Sequence, residues 1–351
     1  MAYDFEKMSP PEIVDEVLRE AAALQASDIY WLPDTGCYGI SFRVSGGQTA
    51  RYRISHEIGL QCVARLKVLA QLLTYRNQVS QDGVIRDEAR FPRLEFRVSV
   101  IPTVCGERAA IRLMDAAAMP RFLEELGFQS KTTELLRGML ERPGGMIVLT
   151  GPTGCGKTTT IYALVRELIR QNQDPASIIT IEDPVECRIE GISQISLSKA
   201  NEEWNYAPAL RAALRQDVKT LVIGEMRDRE VVKVALDAAL TGHRIITTYH
   251  AGDISSVYAR ILHQGFEPFL VAAAITGIVS QRLVGVADAR RMVPLAAVLI
   301  PDDEWRDFVI ANPSLGEMRK KLKGHESADL TLAATRLAEH GQIEKKDVYL
   351  I

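Results

Sequence analysis

One glycine-rich segment constrains this chain more than any other feature. "GPTGCGKTTT", which begins at Gly151, follows a short apolar run and precedes a segment of helical periodicity from Thr159 to Arg170. Gly151 is followed by four residues and then by Gly156-Lys157-Thr158, the spacing of a phosphate-binding loop, in which backbone N–H groups surround phosphates. We therefore predict a strand, a loop and a helix whose N-terminus faces an anion, rather than an ordinary glycine-rich turn.

This phosphate loop predicts the contacts of a nucleotide and of Mg²⁺. Lysine reaches the outer phosphates, and the hydroxyl that follows it, here on Thr158, holds the metal. The residues assigned to nucleotide contact are Gly151, Pro152, Thr153, Gly154, Cys155, Gly156, Lys157, Thr158 and Thr159.

Composition, the N-terminal segment and the cysteine spacing limit which classes of protein this chain can belong to. Apolar residues make up 47% of the 351 residues and the formal net charge is −3, so no overall basic character indicates direct nucleic-acid binding. The acidic start "MAYDFEKMSPPE" has no apolar core and is not a secretory signal. The five cysteines are odd in number and never spaced as C-x-x-C, which favours reduced thiols, a cytosolic setting and no zinc cluster.

The periodicities predict two α/β domains. Residues 1–113 contain a helix that starts after Ser9 and reaches about Ala26, two strands, a second helix and a hairpin of "LEFRVSV" and "ERAAIRLM", with "SQDGVIRDEAR" as a loop. Residues 114–121 are predicted to form a linker. Alternating strands and helices then predict a parallel sheet in residues 122–290, and residues 291–351 are expected to be helical.

Three apolar strands beyond the phosphate loop end in polar groups. "SIITIED" ends at Glu182-Asp183, "TLVIGE" at Glu225 and "HRIITTYH" at His250. Ligands of open α/β sheets bind outside the carboxyl ends of the strands, so these side chains are expected to converge on the phosphate site.

The acidic strand ends suit phosphoryl transfer to water. Such a reaction needs a metal that bridges the outer phosphates and a carboxylate close to the attacking water. Glu225 is predicted as a catalytic residue and metal ligand, Asp183 as a metal ligand, and Glu182 and Glu186 as catalytic candidates. A loop salt bridge for Glu225 and a solvated acidic turn for the others are the structural alternatives.

The histidines and arginines add further candidates. His243 and His250 flank a single strand, and His250 is expected nearer to the phosphates, without the neighbours that zinc would need. Strand alternation separates Arg97 from the apolar residues of its strand and places Arg108 and Arg112 on one face. These three arginines predict a basic surface suited to phosphate oxygens, with a solvated sheet face as the alternative.

Several motifs together resemble one family. "GPTGCGKTTT", "TIEDPVE", "LRAALRQD", "LVIGEMRDRE", "TGHRIITTYHAGD" and "VSQRLV" occur in the order and spacing of the secretion and traffic ATPases, which drive type II secretion, type IV pili and competence pseudopili. The resemblance implies an N-terminal α/β domain, a RecA-like ATPase domain and a hexameric ring. It also implies ATP and Mg²⁺, a position peripheral to the cytoplasmic face of the membrane, and an inner-membrane platform protein as partner.

The resemblance also implies roles for individual residues. Glu182, Asp183 and Glu186 resemble the family's acidic "Asp box", and Glu225 resembles the glutamate of the second Walker motif. His243 resembles a nucleotide-contacting member and His250 a catalytic member of the "His box". The segment around Arg97, Arg108 and Arg112 resembles one whose arginines reach the nucleotide; Arg97 and Arg112 are assigned to catalysis and Arg108 to nucleotide binding.

Departures from the family pattern indicate which members of the family this chain resembles most. Tyr30, Val84 and Tyr249 stand where histidine, arginine and leucine are usual, and a four-cysteine insertion, a preceding docking domain and a retraction signature are not recognised. The chain then looks most like the competence ATPases of Gram-positive bacteria, so it is expected to power a pilin-like filament for DNA uptake without binding DNA directly.

Other functions remain open on the sequence. A pilus-retraction or type II secretion motor uses the same motifs. A RecA-like DNA translocase and a nucleotide-gated scaffold that hardly hydrolyses ATP are alternatives of other classes. A GTPase is disfavoured because the chain has no N-K-x-D segment.

Overall fold

The chain divides into two compact units, residues 1–119 and 120–351. The computed structural model describes residues 5–44, 47–92, 94–115, 122–197, 204–285 and 292–348. The boundary falls inside the predicted linker at 114–121, of which residues 116–121 lie outside the described ranges.

The first unit is built on one six-stranded sheet. Its elements are α1 (Pro10–Ala23), β1 (Asp28–Asp34), β2 (Cys37–Val44), β3 (Gly47–Ser55), α2 (His56–Leu69), β4 (Gln81–Arg86), β5 (Leu94–Thr103) and β6 (Gly106–Asp115). The strand order is β3-β2-β1-β6-β5-β4 and the described pairings are antiparallel.

One face of this sheet forms the core of the first unit. Ile29 and Trp31 of β1 are buried together with Val17 of α1 and Leu66 of α2. Because strand side chains alternate, the opposite face carries the intervening polar residues of β1, β5 and β6. That second face includes the three arginines singled out from the sequence.

The sequence predicted most elements of the first unit, but it missed β3 and β4 and placed the end of α1 too late. The hairpin of β5 and β6 and the Ser9 cap with its Glu12 partner are confirmed. The helix α1 ends at Ala23 instead of about Ala26, because Gln25 adopts a left-handed backbone with φ of 51°. The supposed loop "SQDGVIRDEAR" contains β4, an edge strand that pairs with β5.

The second unit contains a seven-stranded sheet surrounded by helices. Its elements are α3 (Ser130–Met139), β7 (Gly145–Thr150), α4 (Lys157–Arg170), β8 (Ile178–Glu182), β9 (Ser193–Ser196), α5 (Tyr206–Ala213), β10 (Thr220–Ile223), α6 (Arg229–Leu240), β11 (Arg244–Tyr249), α7 (Ile254–His263), α8 (Pro268–Ala274), β12 (Ile275–Gly285), β13 (Met292–Leu299), α9 (Asp303–Ile310), α10 (Leu315–Leu322), α11 (Leu330–Glu339) and α12 (Lys345–Val348).

The sheet of the second unit is parallel except at one edge. The strand order is β13-β12-β7-β11-β10-β8-β9, and only β13 runs antiparallel to its neighbour. The predicted parallel sheet is confirmed. Met146 and Val148 of β7 lie in a core with helices α5 to α10, so alternation turns Ile147 and Leu149 toward the other face.

The prediction that residues 291–351 are helical was wrong in one respect. Residues 292–299, predicted to begin a helical region, form β13, which pairs with β12 along eight residue pairs. The continuous apolar sequence of β13 has no period that separates a buried strand from a buried helix. Helices follow from Asp303 onward, as expected. In the described ranges, no helix has the length and apolar character needed to cross a membrane.

Candidate active site

The phosphate loop connects the buried strand β7 to the helix α4. Three of its glycines, Gly151, Gly154 and Gly156, have positive φ angles of 142°, 78° and 87°. A Cβ on Gly151 would lie 2.3 Å from the backbone oxygen of Gln281, so only glycine fits there. These glycines let the loop turn tightly into the N-terminus of α4, where free backbone N–H groups favour an anion.

The lysine of the loop folds back over it. The Lys157 ammonium donates hydrogen bonds to the carbonyl oxygens of Gly151 and Pro152, both at 2.9 Å. Thr158 follows in the first turn of α4. Lysine and hydroxyl thus lie at the helix end that the sequence predicted for phosphate and Mg²⁺.

Gln281 of β12 holds the loop, and sequence reasoning did not single it out. Its amide Nε2 donates to the carbonyl oxygen of Cys155 at 2.6 Å, and its Oε1 accepts from the Thr160 hydroxyl at 2.9 Å. The side chain is buried. The "VSQRLV" motif contains the residue, but no local pattern connects it to a loop 126 positions earlier.

Glu225 follows β10 and is held by two neighbours. Its Oε2 lies 2.9 Å from Nε2 of His250, and its Oε1 is paired with Arg227. Burial acts to raise the pKa of Glu225, but the hydrogen bonds from Arg227 and His250 outweigh it and hold the pKa below its ordinary value. The carboxylate is therefore ionised at neutral pH and positioned at the strand end.

Asp183 and a tyrosine complete this acidic edge. Arg227 lies 3.8 Å from Asp183, so one guanidinium links the ends of β8 and β10. The Tyr206 hydroxyl lies against Gly224, where a Cβ would approach it to 2.8 Å. Burial and the charges of Glu225 and Asp183 raise the pKa of Tyr206, so its hydroxyl stays protonated.

Glu182 has a different environment from its neighbours. Its buried carboxylate accepts hydrogen bonds from Tyr162, from Thr180 at 2.6 Å and from Gln194 at 3.3 Å. Glu182 is buried, unlike the partly exposed Glu225, and both of its oxygens accept hydrogen bonds, so its environment suits a structural role at the end of β8. The catalytic role of Glu182 stays a prediction. Burial, followed by the Glu182 charge, raises the pKa of Tyr162.

Glu186 lies in the loop that follows β8. Its backbone N–H donates to the hydroxyl oxygen of Tyr162 at 3.1 Å, and its side chain is partly exposed. The loop is thereby fixed to α4 through Tyr162. The catalytic role of Glu186 stays a prediction.

The two histidines lie at opposite ends of β11. Register pairs Tyr249 with Thr150, so His250 follows on the phosphate-loop side, while Arg244 pairs with Gly145 at the far side. His243 precedes Arg244, roughly 20 Å from His250 at the rise of a strand. Within this chain His243 lies about one strand length from the phosphate loop. Its contact with nucleotide stays a prediction.

The predicted arginines share one face of the first unit's sheet. Arg97 and Arg112 are direct cross-strand partners on β5 and β6, and Arg108 lies on the Arg112 strand. The Arg112 Nε lies 3.1 Å from Oδ1 of the buried Asp28, and the Arg108 guanidinium lies 5.9 Å from the centre of the Tyr30 ring. The basic surface is therefore assembled; its contact with nucleotide stays a prediction.

The donors for Mg²⁺ are few, which fits a metal shared with phosphate. Among the described residues, no group of three His, Cys, Asp or Glu side chains could hold a metal. Mg²⁺ commonly takes one or two protein oxygens together with phosphate oxygens and water. Thr158, Asp183 and Glu225 supply hydroxyl and carboxylate oxygens at the phosphate end of the sheet. Bound there, Mg²⁺ would supply positive charge next to the outer phosphates.

The phosphate loop, the acidic strand ends and the order of the parallel strands define a P-loop nucleotide-binding fold of the RecA type. Comparison with known proteins gives the family. The chain belongs to the type II/IV secretion system protein family, whose model matches residues 6–327. This is the secretion ATPase family that the motifs resembled.

Known relatives come from secretion and pilus systems. The chain is 33% identical over 91% of its length to a putative type II secretion system protein E of Escherichia coli. It is 38% identical over 78% to the type II secretion protein HxcR of Pseudomonas aeruginosa, and 37% over 81% to the pilus assembly ATPase PilB of Myxococcus xanthus. The chain spans 61%, 57% and 49% of the length of these relatives.

Solved structures agree with the fold. The pilus retraction motor PilT with bound ADP matches with a TM-score of 0.76 and 26% identity over 95% of both chains. The ATPase DotB of Legionella pneumophila matches with a TM-score of 0.78 and 26% identity, over 98% of this chain and 95% of DotB. The predicted α/β class with a RecA-like sheet is therefore confirmed.

Proposed function

We propose that this chain binds and hydrolyses ATP with Mg²⁺ and that hydrolysis powers the assembly of a pilin-like filament. The observation that carries the proposal is the placement of Glu225, ionised and held by His250 and Arg227, at the edge of the sheet that also carries the phosphate loop. A carboxylate there can accept a proton from attacking water or hold metal-bound water. Lys157 and Thr158 contact the phosphates and metal.

Assembly or secretion is favoured over retraction within this proposal. The relatives of type II secretion and of pilus assembly are 33% to 38% identical, whereas the retraction motor is 26% identical. Retraction is the second candidate, supported by the match in fold. Deleting the gene separates them, because loss of filaments indicates assembly and overabundant filaments indicate retraction.

The finer proposal is a competence pseudopilus that takes up DNA. Loss of natural transformation together with loss of surface filaments supports it. Intact transformation in a strain that no longer secretes a type II substrate contradicts it and supports the secretion motor instead.

The proposed working unit is a hexamer on the cytoplasmic face of the membrane, bound to a platform protein. Arg97, Arg108 and Arg112 are proposed to contribute positive charge to nucleotide in this assembly. Light scattering during ATP turnover tests the ring: activity per chain should rise as a roughly sixfold mass forms. Full activity of the monomer contradicts it.

A DNA translocase and a nucleotide-gated scaffold are the competing classes. DNA that stimulates hydrolysis, with binding that falls steeply as salt rises, supports a translocase. Near-zero hydrolysis in the assembled state supports a scaffold. We expect turnover that is insensitive to DNA.

A further inference from the structure

A cavity lies at the end of the second unit's sheet that is opposite the phosphate loop. It has a volume of about 410 Å³ and is lined by Lys219, Thr241, His243 and Arg244 together with neighbouring uncharged residues. Arg244 begins β11 and pairs in register with Gly145, the first residue of β7, so the cavity is separated from the phosphate loop by the length of a strand.

The cavity has basic side chains and no acidic ones. In the part of the chain that the structure describes, none of its lining residues is Asp or Glu. Lys219 and Thr241 are exposed, so the cavity opens to solvent beside an ammonium and a hydroxyl. Nδ1 of His243 lies 3.2 Å from the carbonyl oxygen of Ala238, which can only accept, so this nitrogen is the donor in that contact.

Arg244 differs from Lys219 in the lining of this cavity because its charged side chain is buried. The residue is 8% exposed. Its guanidinium donates to four uncharged acceptors at 2.7 to 3.2 Å: the carbonyl oxygens of Leu140 and Arg142, the Gln173 amide oxygen and the Thr220 hydroxyl. Its Nε is buried without a hydrogen-bond partner.

The charge of Arg244 is therefore buried without a carboxylate counter-ion among the described residues. A buried charge is costly unless it is paired. Burial accordingly lowers the pKa of Arg244. A small oxyanion could supply the missing negative charge, because its oxygens accept hydrogen bonds from ammonium donors and its charge is opposite to that of the guanidinium.

We propose that this cavity binds a small oxyanion of the phosphate type, with the ammonium of Lys219 and the buried charge of Arg244 as its principal partners. The site is distinct from the phosphate loop and does not depend on whether the chain hydrolyses ATP. An anion held there compensates the Arg244 charge and stabilises the junction of α6, β11 and the segment that precedes β7.

The test is anion-dependent thermal stability of the full-length chain in a Lys157→Ala background, which weakens phosphate binding at the loop. Sodium phosphate and sodium chloride are compared at equal ionic strength. The variants are Lys219→Glu and a matched charge reversal, Lys233→Glu, at an exposed position of α6. The matched control is needed because phosphate also stabilises proteins by exclusion from their surface.

Phosphate is expected to raise the melting temperature by about 2–4 °C more in Lys233→Glu than in Lys219→Glu at concentrations near ten times Kd. Equal responses of the two variants would overturn the proposal.

A parallel titration with AMP distinguishes the source of the anion. A Lys219-dependent response to AMP as well as to phosphate supports a phosphate group carried by an organic molecule. A Lys219-dependent response to phosphate alone supports the free anion. A response to either that is independent of Lys219 contradicts the site.

Discussion

The amide of Gln281 donates a hydrogen bond of 2.6 Å to the carbonyl oxygen of Cys155, which ties β12 to the middle of the phosphate loop. The same side chain accepts from Thr160 in α4, so one buried residue fixes both the loop and the helix that follows it. A contact between residues far apart in the sequence therefore helps to fix the shape of the loop on which nucleotide binding depends.

Replacing Gln281 by Met is expected to weaken both stability and ATP binding. The Cys155 carbonyl would lose the hydrogen bond from Gln281, at a cost of about 1–3 kcal/mol for a buried group left unsatisfied. The Thr160 hydroxyl would keep only its 3.2 Å hydrogen bond to the Gly156 carbonyl oxygen. We expect a lower melting temperature and a several-fold higher Kd for a fluorescent ATP analogue. Gln264→Met, at the partly exposed end of α7, is the control for loss of an amide. Equal effects of both variants would argue against a special role of Gln281.

Gly151→Ala is expected to be more harmful than Gly154→Ala. Both residues have positive φ, but a Cβ on Gly151 would lie 2.3 Å from the Gln281 backbone, whereas one on Gly154 meets nothing within 4 Å. We expect Gly154→Ala to cost about 1 kcal/mol of backbone strain and Gly151→Ala clearly more. Urea unfolding measures both, and a Gly151→Ala variant as stable as Gly154→Ala contradicts the close approach.

The ion pair of Asp253 with Arg319 connects the C-terminal helices to the loop that follows His250. Arg319 of α10 lies 3.0 Å from Oδ2 of Asp253, whose Oδ1 accepts from the backbone of Ser256. Burial acts to raise the pKa of Asp253, but the Ser256 hydrogen bonds and Arg319 lower it overall. The folded protein therefore holds this proton less tightly than the unfolded chain does.

Asp253→Asn keeps the helix cap but removes the charge. Because folding lowers the pKa of Asp253, its carboxylate contributes its full stabilisation of the folded protein above the pKa that it has in the unfolded chain, near 3.9. This stabilisation is lost as the pH falls through the pKa that Asp253 has in the folded protein. We expect wild type to melt above the variant at pH 7, with a difference that shrinks below about pH 5. A difference that is constant with pH, or grows in acid, contradicts the ion pair.

Loss of a predicted arginine is expected to impair turnover more than stability. Arg97→Met should lower the rate of ATP hydrolysis by roughly tenfold to a thousandfold if its charge reaches the transferred phosphate. Arg86→Met on β4 is the matched control, since Arg86 is exposed and paired with Glu95. Equal rates for the two variants would remove Arg97 from the catalytic residues.

Local sequence signals predicted the elements around the phosphate loop. The apolar run of β7, the glycine spacing and the polar ends of β8, β10 and β11 indicate a parallel sheet with its ligand edge at those ends, and the structure has that sheet. These features are local, so a window of about ten residues contains each of them.

The remaining features depend on contacts between distant residues. β13 has no polar interruption that separates a buried strand from a helix, and β4 is recognisable only through its pairing with β5. The burial of Glu182 depends on Tyr162 and Gln194, which no spacing rule connects. The strand between His243 and His250 was predicted, whereas the nucleotide contact of His243 rests on the motif alone.

ATP hydrolysis by wild type, Glu225→Gln and the matched variant Glu230→Gln tests the central claim most directly. Glu230 is an exposed carboxylate of α6, only five residues from Glu225. Phosphate release is followed as the protein assembles, with binding of a fluorescent ATP analogue measured in parallel. The account predicts turnover in wild type and Glu230→Gln, and a Glu225→Gln protein that binds the analogue but releases little phosphate. Unchanged phosphate release by Glu225→Gln, or none by assembled wild type, would contradict it.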